Sequence, residues 1–309
     1  MFQTTFLAVL ISLLYMIPGY IFCKIKKVRP EHLSTMSYIL IYFCSPCMIV
    51  SAFLELPRTK ENVILMGMFF VFSLLVQLLF FVLLYLIIRK KQDNPMVRLM
   101  SVGSVLGNVG FFGLPLIKAL FPQNPEVACY SCIYVVSMNL LVFTIGVYGV
   151  TGDRKAISFK NVFVNPAFVS FLIAVPLYLS DGGDWFPQFL GKGIDVVGKM
   201  TTPLCMLILG IRLATIEMKK LFTNKYVYLT CGLKLLVLPL FTYGISFLFS
   251  MPDTFRYSAL ILAGTPCASV LLGMAEMKGK SMDLAANCIL LSTLMSIVTL
   301  PLLSFLIQI

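Results

Sequence analysis

The chain alternates between long apolar stretches and short polar segments. Most stretches contain about 20 residues or more, the length that an α-helix needs to cross the hydrocarbon core of a bilayer. They are apolar on every face and lack the alternation of a membrane barrel. Because lipid offers no partner for open backbone groups, we predict helices. The ten predicted spans are residues 2–23, 33–54, 62–88, 97–120, 127–149, 163–179, 193–213, 224–250, 255–275 and 284–308.

The composition also indicates a membrane protein. Of the 309 residues, 59% are hydrophobic and 12% are charged, whereas soluble domains carry about 25% charged residues. The net charge of +11 lies in short clusters between the spans, so it gives no indication of a nucleic-acid partner. The nine cysteines lie mostly within apolar runs. We interpret them as small packing residues and expect no disulfide framework, metal or cofactor.

Basic residues predict the orientation in the lipid bilayer. Seventeen of the 24 Lys and Arg residues lie in the loops that follow spans 1, 3, 5, 7 and 9 or beside them. The positive-inside rule places these loops in the cytoplasm. We therefore expect a multi-pass plasma membrane protein with its N-terminus and C-terminus both outside. The clusters comprise Lys24, Lys26, Lys27, Arg29, Arg89, Lys90, Lys91, Arg98, Arg154, Lys155, Lys160, Arg212, Lys219, Lys220, Lys225, Lys278 and Lys280.

A short basic loop divides the ten spans into two sets of five. We predict an N-terminal repeat at residues 1–150, a cytoplasmic linker at residues 151–162 and a C-terminal repeat at residues 163–309. Because five is odd, the second set has the opposite orientation, as in the inverted repeats of secondary transporters. The expected fold class is an all-α membrane protein with ten transmembrane helices in a 5+5 inverted repeat.

Polar and proline landmarks recur between the two halves. Ser45 with Pro46 matches Thr202 with Pro203 at a shift of 157 residues, and residues 107–108 match residues 264–265 at the same shift. Bends at Pro46 and Pro203 would line a common cavity. Simple packing kinks explain these two prolines equally well.

Span 4 is rich in residues that interrupt helices. Gly103, Gly107, Gly110, Gly113 and Pro115 all fall within thirteen residues. An interior glycine costs about 1 kcal/mol relative to alanine and an interior proline about 3 kcal/mol. Proline also fits the first turn of a new helix. We predict two half-helices joined by an unwound stretch near residues 108–113.

Span 9 carries a helix-start signal in the middle of an apolar run. Thr265 is a typical N-cap residue and Pro266 a typical first helical residue, so we predict that a second half-helix begins here. Two buried half-helix N-termini would present free N–H groups and positive dipole ends to an anion such as a carboxylate. Asn108, Thr265 and Ser269 could add side-chain hydrogen bonds. Kinks that serve only close helix packing are the alternative.

Lys234 is the only basic residue deep within a predicted span. A charge at the bilayer centre costs at least about 2.5–3.5 kcal/mol on insertion scales, and no acidic residue lies at comparable depth. We interpret Lys234 as a counter-charge to an anionic substrate or a gating partner, with snorkelling or structural pairing as the alternative. Asn139 could line the same cavity or form an interhelical hydrogen bond. The predicted substrate-binding residues are Asn108, Gly110, Pro115, Thr265, Pro266, Ser269, Lys234, Pro46, Pro203 and Asn139.

The sequence NVGFFGLPL at residues 108–116 resembles the fourth-helix motif of the auxin efflux carrier family. Residues 165–166, residues 202–204 with 209–210, and residues 293–301 are similar to that family as well, so the resemblance covers the whole chain. The resemblance implies ten helices in a 5+5 inverted repeat, with broken helices 4 and 9 crossing at their breaks. It assigns Asn108, Pro115 and Pro266 to that crossing.

The resemblance also implies a function. Family members export or exchange small organic anions, and the short middle loop resembles bacterial members such as malate or malonate permeases. We therefore expect a secondary transporter of carboxylates such as malate, malonate or auxin-like acids, with a transport domain that moves like an elevator against a scaffold domain. Gln77 stands where an acidic residue of the plant carriers is expected, which argues against proton coupling through span 3.

Several alternatives stay open at this point. H+ or Na+ could be the coupling ion, and a homodimer is compatible with the sequence. A sodium-coupled organic anion symporter resembling the bile-acid carriers is one alternative, although acids are lacking near the expected crossing. A non-transporting membrane sensor or scaffold with this fold is another. An enzyme is not expected, because the spans hold no carboxylate pair, histidine cluster or nucleophile–base spacing, and the single histidine, His32, lies in a basic loop.

Overall fold

The computed structural model of the protein describes residues 1–152, 157–216, 221–278 and 281–307. Most of the predicted linker at residues 151–162 is included, with a gap at residues 153–156. Some of the basic residues used for the predicted orientation lie outside the described residues, namely Arg154, Lys155, Lys219, Lys220, Lys280 and the side chain of Lys278.

The described residues form helices and no strands. We label the twelve main helices α1 to α12 in chain order. Turns at Tyr15 and Met200 interrupt α1 and α8, and short helical segments at Phe159–Val164 and Gly182–Trp185 flank α7. The helices are α1 Phe2–Lys24, α2 His32–Leu54, α3 Lys60–Lys91, α4 Pro95–Gly103, α5 Val109–Leu120, α6 Glu126–Thr151, α7 Pro166–Leu179, α8 Gln188–Thr215, α9 Lys225–Ser246, α10 Asp253–Ala263, α11 Val270–Lys278 and α12 Met282–Leu306.

Helices occur at every apolar run of the sequence, and the fourth and ninth runs are each split in two. Span 4 becomes α4 and α5, and span 9 becomes α10 and α11. Seven helices of the described chain are long and apolar enough to cross a membrane, and α5 and α7 are shorter apolar helices. The chain is therefore an all-helical, multi-pass membrane protein, whereas ten crossings in a 5+5 repeat stay a prediction.

Three helices contain a wide turn just before a proline. π-helical turns at Leu40–Cys44, Val109–Gly113 and Leu233–Val237 each end two residues before Pro46, Pro115 or Pro239. A proline has no N–H, and its ring crowds the carbonyl four residues earlier. A π turn at that carbonyl widens the backbone where the ring must fit. The irregularity expected at Pro46 is thus a π turn in α2.

Close backbone contacts join α1, α2, α7 and α8. A Cβ atom added at Gly19 would collide with the Leu207 carbonyl of α8, and one at Gly210 would collide with the Met16 carbonyl of α1. At Gly198, an added Cβ would lie 2.9 Å from the Met48 Cα atom of α2, and α7 packs on α2 as well. Small residues allow helices to approach in this way where lipid supplies no hydrophobic driving force.

Stacked and edge-on aromatic rings join α3, α6 and α10. The rings of Phe69 in α3 and Tyr130 in α6 stack with centroids 4.5 Å apart, and Phe255 of α10 meets Phe69 edge-on at 4.8 Å. All three side chains are fully buried. α9 contacts α10 and α12. These contacts position the two broken spans between α6, α9 and α12.

Candidate functional site

The two broken spans are joined to each other through their backbones. We call residues 104–108 the first break and residues 264–269 the second break. Gly107 and Cys267 form an isolated antiparallel bridge. The Asn108 N–H donates to the Pro266 carbonyl at 2.7 Å, and the Ala268 N–H donates to the Leu106 carbonyl at 3.0 Å. Non-helical backbone at membrane depth needs such partners, and each break supplies them for the other.

The first break lies earlier in the chain than predicted. We expected an unwound stretch near residues 108–113, but residues 109–113 form a π turn and the extended backbone ends at Asn108. The Asn108 carbonyl accepts hydrogen bonds from the Phe112 and Gly113 N–H groups, so the new helix starts directly after it. A Cβ at Gly113 would lie 3.0 Å from both Leu262 and Thr265. The glycine allows close packing here, rather than unwinding.

The second break differs from the prediction in the role of Thr265. We expected Thr265 as an N-cap with Pro266 opening the next half-helix, but α11 begins only at Val270. The Thr265 hydroxyl donates back to the Leu262 carbonyl at 2.7 Å. Pro266 has no N–H for that carbonyl, four residues earlier, and the Thr265 hydroxyl donates to it together with the Thr265 N–H, which lies at 3.3 Å. Pro266 itself belongs to the extended bridge.

A second threonine compensates Pro115 in the same way. Because Pro115 has no N–H, it cannot bond the Phe111 carbonyl four residues earlier. The Thr202 hydroxyl of α8 donates to this carbonyl at 2.7 Å. The Ser131 hydroxyl of α6 donates to the Val109 carbonyl at 2.9 Å. Both contacts fix the first turn of α5 against its neighbours.

Lys234 lies at the crossing and is completely buried. It projects from the π turn of α9, and its ammonium donates a hydrogen bond to the carbonyl of Ala263, the last residue of α10. A Cβ added at Gly107 would lie 2.9 Å from the Lys234 Nζ atom and 2.6 Å from the Thr265 Oγ1 atom. None of the ion pairs in the described part of the chain includes Lys234. The ammonium is therefore stabilised by the carbonyl end of α10 and not by an acidic side chain.

The start of α5 has free donors. Within the described chain, the N–H groups of Val109, Gly110 and Phe111 have no hydrogen-bond acceptor. Asn108 precedes them as the N-cap residue, but its side chain makes no capping bond. Its Nδ2 atom has only a weak contact with the Cys205 sulfur at 3.8 Å. Free N–H groups and the positive end of a helix dipole are suited to binding an anion.

The other predicted binding residues differ in burial and in their contacts with the crossing. Ser269 is half-buried in the turn that opens α11, and Pro46 is half-buried in α2. Asn139 is buried in α6 one turn beyond Val135, whose Cγ2 atom would lie 3.1 Å from a Cβ at Gly110. Pro203 is exposed, and the adjacent Thr202 makes the contact with α5.

Several residues at the crossing were not in the predicted set. Ser292 of α12 accepts a hydrogen bond from the Cys267 N–H at 2.9 Å. The Cys267 thiol donates to the Gly103 carbonyl at 3.4 Å. Gly107 was visible as a landmark shared by the two halves, but the bridge pairs it with Cys267, at a shift of 160 residues instead of 157. Nothing in the pattern around Ser292 distinguishes it from other serines in apolar helices.

Comparison with known proteins identifies the family of this chain. The chain matches the membrane transport protein family over residues 4–155 and again over residues 154–304. It belongs to this family, that of the auxin efflux carriers. The resemblance seen in the NVGFFGLPL motif is thereby confirmed, and the chain is a member of a membrane transporter family.

Archaeal proteins are similar over nearly the full length. An uncharacterized transporter of Methanocaldococcus jannaschii is 25% identical over 300 residues, which cover 95% of this chain and 96% of the relative. An uncharacterized transporter of Methanothermobacter thermautotrophicus is 25% identical over 306 residues, with 96% of each chain covered. Transporters of this kind are generally not enzymes, and they imply a small-molecule substrate and a membrane environment.

Proposed function

We propose that this protein is a secondary transporter of small organic anions, carboxylates such as malate, malonate or auxin-like acids, and that it works by alternating access. The observation that carries the proposal is the free N-terminus of α5 beside the buried ammonium of Lys234, which has no acidic partner among the described ion pairs. The N–H groups of Val109, Gly110 and Phe111 have no acceptor within the described chain, and Lys234 lies against the adjacent Gly107.

The charge balance at the crossing favours an anionic ligand. A buried charge without a paired opposite charge is costly. The bond between Lys234 and the Ala263 carbonyl offsets part of this cost, but none of the described ion pairs gives the ammonium an acidic partner. A carboxylate at the start of α5 would add the missing negative charge. It would also accept hydrogen bonds from the free N–H groups and from the Asn108 amide.

The packing of the helices supports an elevator mechanism. α8 approaches α1 and α2 closely through its backbone, and α7 packs on α2. We propose that they form the scaffold domain and that the helices around the crossing form the transport domain. The contact of α1 with α8 has a counterpart in that of α7 with α2, as an inverted repeat of five plus five spans requires.

The local spacing of the breaks supports the same repeat. α4 ends at Gly103 and α10 ends at Ala263, 160 residues later, the same shift that relates the bridged pair. We further propose ten crossings of the plasma membrane with both termini outside, and a homodimer as the functional unit.

Counterflow in proteoliposomes tests the transport proposal. Vesicles loaded with unlabelled malate or malonate should accumulate the labelled acid, and Asn108→Ala should reduce the rate at least tenfold because it removes an amide donor at the start of α5. Asn224→Ala is a matched control, since Asn224 caps the start of α9 through an ordinary bond to the Tyr226 N–H at 3.0 Å. Normal transport by Asn108→Ala would contradict the site assignment. A folded protein that moves none of these acids would favour a sensor or scaffold.

A further inference from the structure

The C-terminal end of α10 is buried in the protein interior and carries a cation. The last helical carbonyls point toward the crossing, where the helix dipole leaves partial negative charge. The Leu262 carbonyl is occupied by the Thr265 hydroxyl and the Leu260 carbonyl by the Gly264 N–H. The next carbonyl, that of Ala263, accepts from the Lys234 ammonium.

Such helix ends are the usual cation sites of transporters with broken helices. In those proteins, unwound backbone carbonyls and the C-terminal ends of half-helices coordinate the coupling ion. Here the Ala263 carbonyl and the Thr265 hydroxyl oxygen offer ligands of that type. The space beside them is filled by the Lys234 Nζ atom, and Gly107 leaves room for it, since a Cβ there would lie only 2.9 Å away.

Two acidic residues of the described chain are engaged in ion pairs away from the crossing. Glu55 pairs with Lys118 at 2.7 Å and Asp195 with Lys199 at 2.5 Å. Neither of these described ion pairs includes Lys234. A second cation at the crossing would therefore meet the Lys234 ammonium, and neither of these two carboxylates is free to offset it.

We propose that Lys234 is a tethered cation that takes the place of a coupling Na+ at the end of α10, so that organic anion transport by this chain does not use Na+. The proposal rests on the proposed transport function for its consequence. The occupancy of the cation position can be tested without any substrate.

Thermal unfolding of the purified protein in detergent tests whether the Lys234 ammonium occupies the cation position at the end of α10. Lys234→Ala removes three methylene groups and the ammonium, and propylammonium restores the deleted charge on a chain of the same length. We expect a lower Tm for Lys234→Ala and a recovery of several degrees with propylammonium chloride, but no recovery with the neutral 1-propanol. Wild-type protein should respond to neither compound. Equal recovery with both compounds, or none with either, would overturn the tethered-cation assignment.

Lys234→Met provides a second variant that keeps the packing of the side chain. In this variant we expect NaCl to raise Tm relative to choline chloride at equal ionic strength, because the vacated oxygens become free for Na+. Wild-type protein should have the same Tm in both salts. A sodium-specific rise in wild-type protein would show that Na+ binds beside Lys234 and would refute the proposal.

Malate or malonate counterflow then tests the consequence. Wild-type rates should be equal in sodium and choline media, and a sodium gradient that drives accumulation would contradict the inference while leaving organic anion transport intact. If the protein moves none of these acids, the proposed function fails, but the Tm comparisons still decide whether Lys234 occupies the cation position.

Discussion

The two breaks have similar sequence signals but are held in different ways. Apart from the backbone bridge, the first break and the helix end before it are contacted by sulfur atoms: the Cys267 thiol donates to the Gly103 carbonyl, and the Asn108 amide has a weak contact with Cys205. The second break and the helix end before it form full hydrogen bonds with two other helices: the Lys234 ammonium of α9 donates to the Ala263 carbonyl, and the Cys267 N–H donates to the Ser292 hydroxyl of α12.

This difference indicates a division of roles. Hydrogen bonds to charged groups contribute about 1.5–3 kcal/mol and neutral ones about 0.5–1.5 kcal/mol, whereas sulfur is a weak donor and acceptor. The second break is therefore the fixed partner. The first break is the more adaptable one, and it leads into the free N–H groups of α5, whose first turn is fixed by Thr202 and Ser131. We expect ligand recognition at the first break and structural support from the second.

The strongest way to disturb both breaks together is Gly107→Ala. The glycine has no positive φ angle, so alanine fits its backbone conformation. The added Cβ would lie 2.6 Å from Thr265 Oγ1 and 2.9 Å from Lys234 Nζ, and moving either atom breaks its bond to α10. We expect a loss of about 3 kcal/mol in the free energy of unfolding, the upper part of the range for overpacking, and loss of transport.

Gly232→Ala is the control for this substitution. An added Cβ at Gly232 in α9 meets nothing within 4 Å, and alanine is the better helix former by about 1 kcal/mol. Its Tm should equal or exceed that of the wild-type protein. If Gly107→Ala has the same Tm as Gly232→Ala, the crossing is looser than the contacts of Gly107 indicate.

The next largest effect tests the hydrogen bond by which Ser292 supports the second break. Ser292→Ala leaves the buried Cys267 N–H without its acceptor, at a cost of about 2 kcal/mol. Ser296→Ala is the matched control in the same helix, because its buried hydroxyl bonds only the Thr293 carbonyl one turn earlier. Denaturant or thermal unfolding should show a clear loss for Ser292→Ala and a change below about 1 kcal/mol for Ser296→Ala. Equal losses would mean that Ser292 does not support the second break.

The fold was more predictable than the crossing. Apolar runs fix where helices form because the bilayer demands satisfied backbone groups, and helices occur at all ten runs. Pro266 and the glycines correctly marked where two spans break. The exact bounds of the breaks depended on pairing between Gly107 and Cys267, which are distant in the sequence. Thr265 illustrates the limit. Its local pattern indicated an N-cap, but the pairing of Gly107 with Cys267 keeps the following residues extended, α11 begins only at Val270, and the Thr265 hydroxyl donates back to the Leu262 carbonyl.

The smallest predicted effect concerns a feature that the two breaks share. Each crossing proline leaves a carbonyl without its helical donor, and a threonine hydroxyl donates to it: Thr202 to the Phe111 carbonyl and Thr265 to the Leu262 carbonyl, both at 2.7 Å. Thr202→Val keeps the shape and removes the donor, so we expect a loss of about 1 kcal/mol in the free energy of unfolding.

A double-mutant cycle with Pro115→Ala shows whether this compensation is the reason for the threonine. Alanine at position 115 restores an N–H that can donate to the Phe111 carbonyl, so Thr202→Val should cost less in that background, with a coupling of about 0.5 kcal/mol or more. Unfolding of the four proteins in one detergent gives the coupling. Additive losses would mean that the Thr202 hydroxyl joins α8 to α5 independently of Pro115. The similarity between the two breaks would then reduce to their shared prolines.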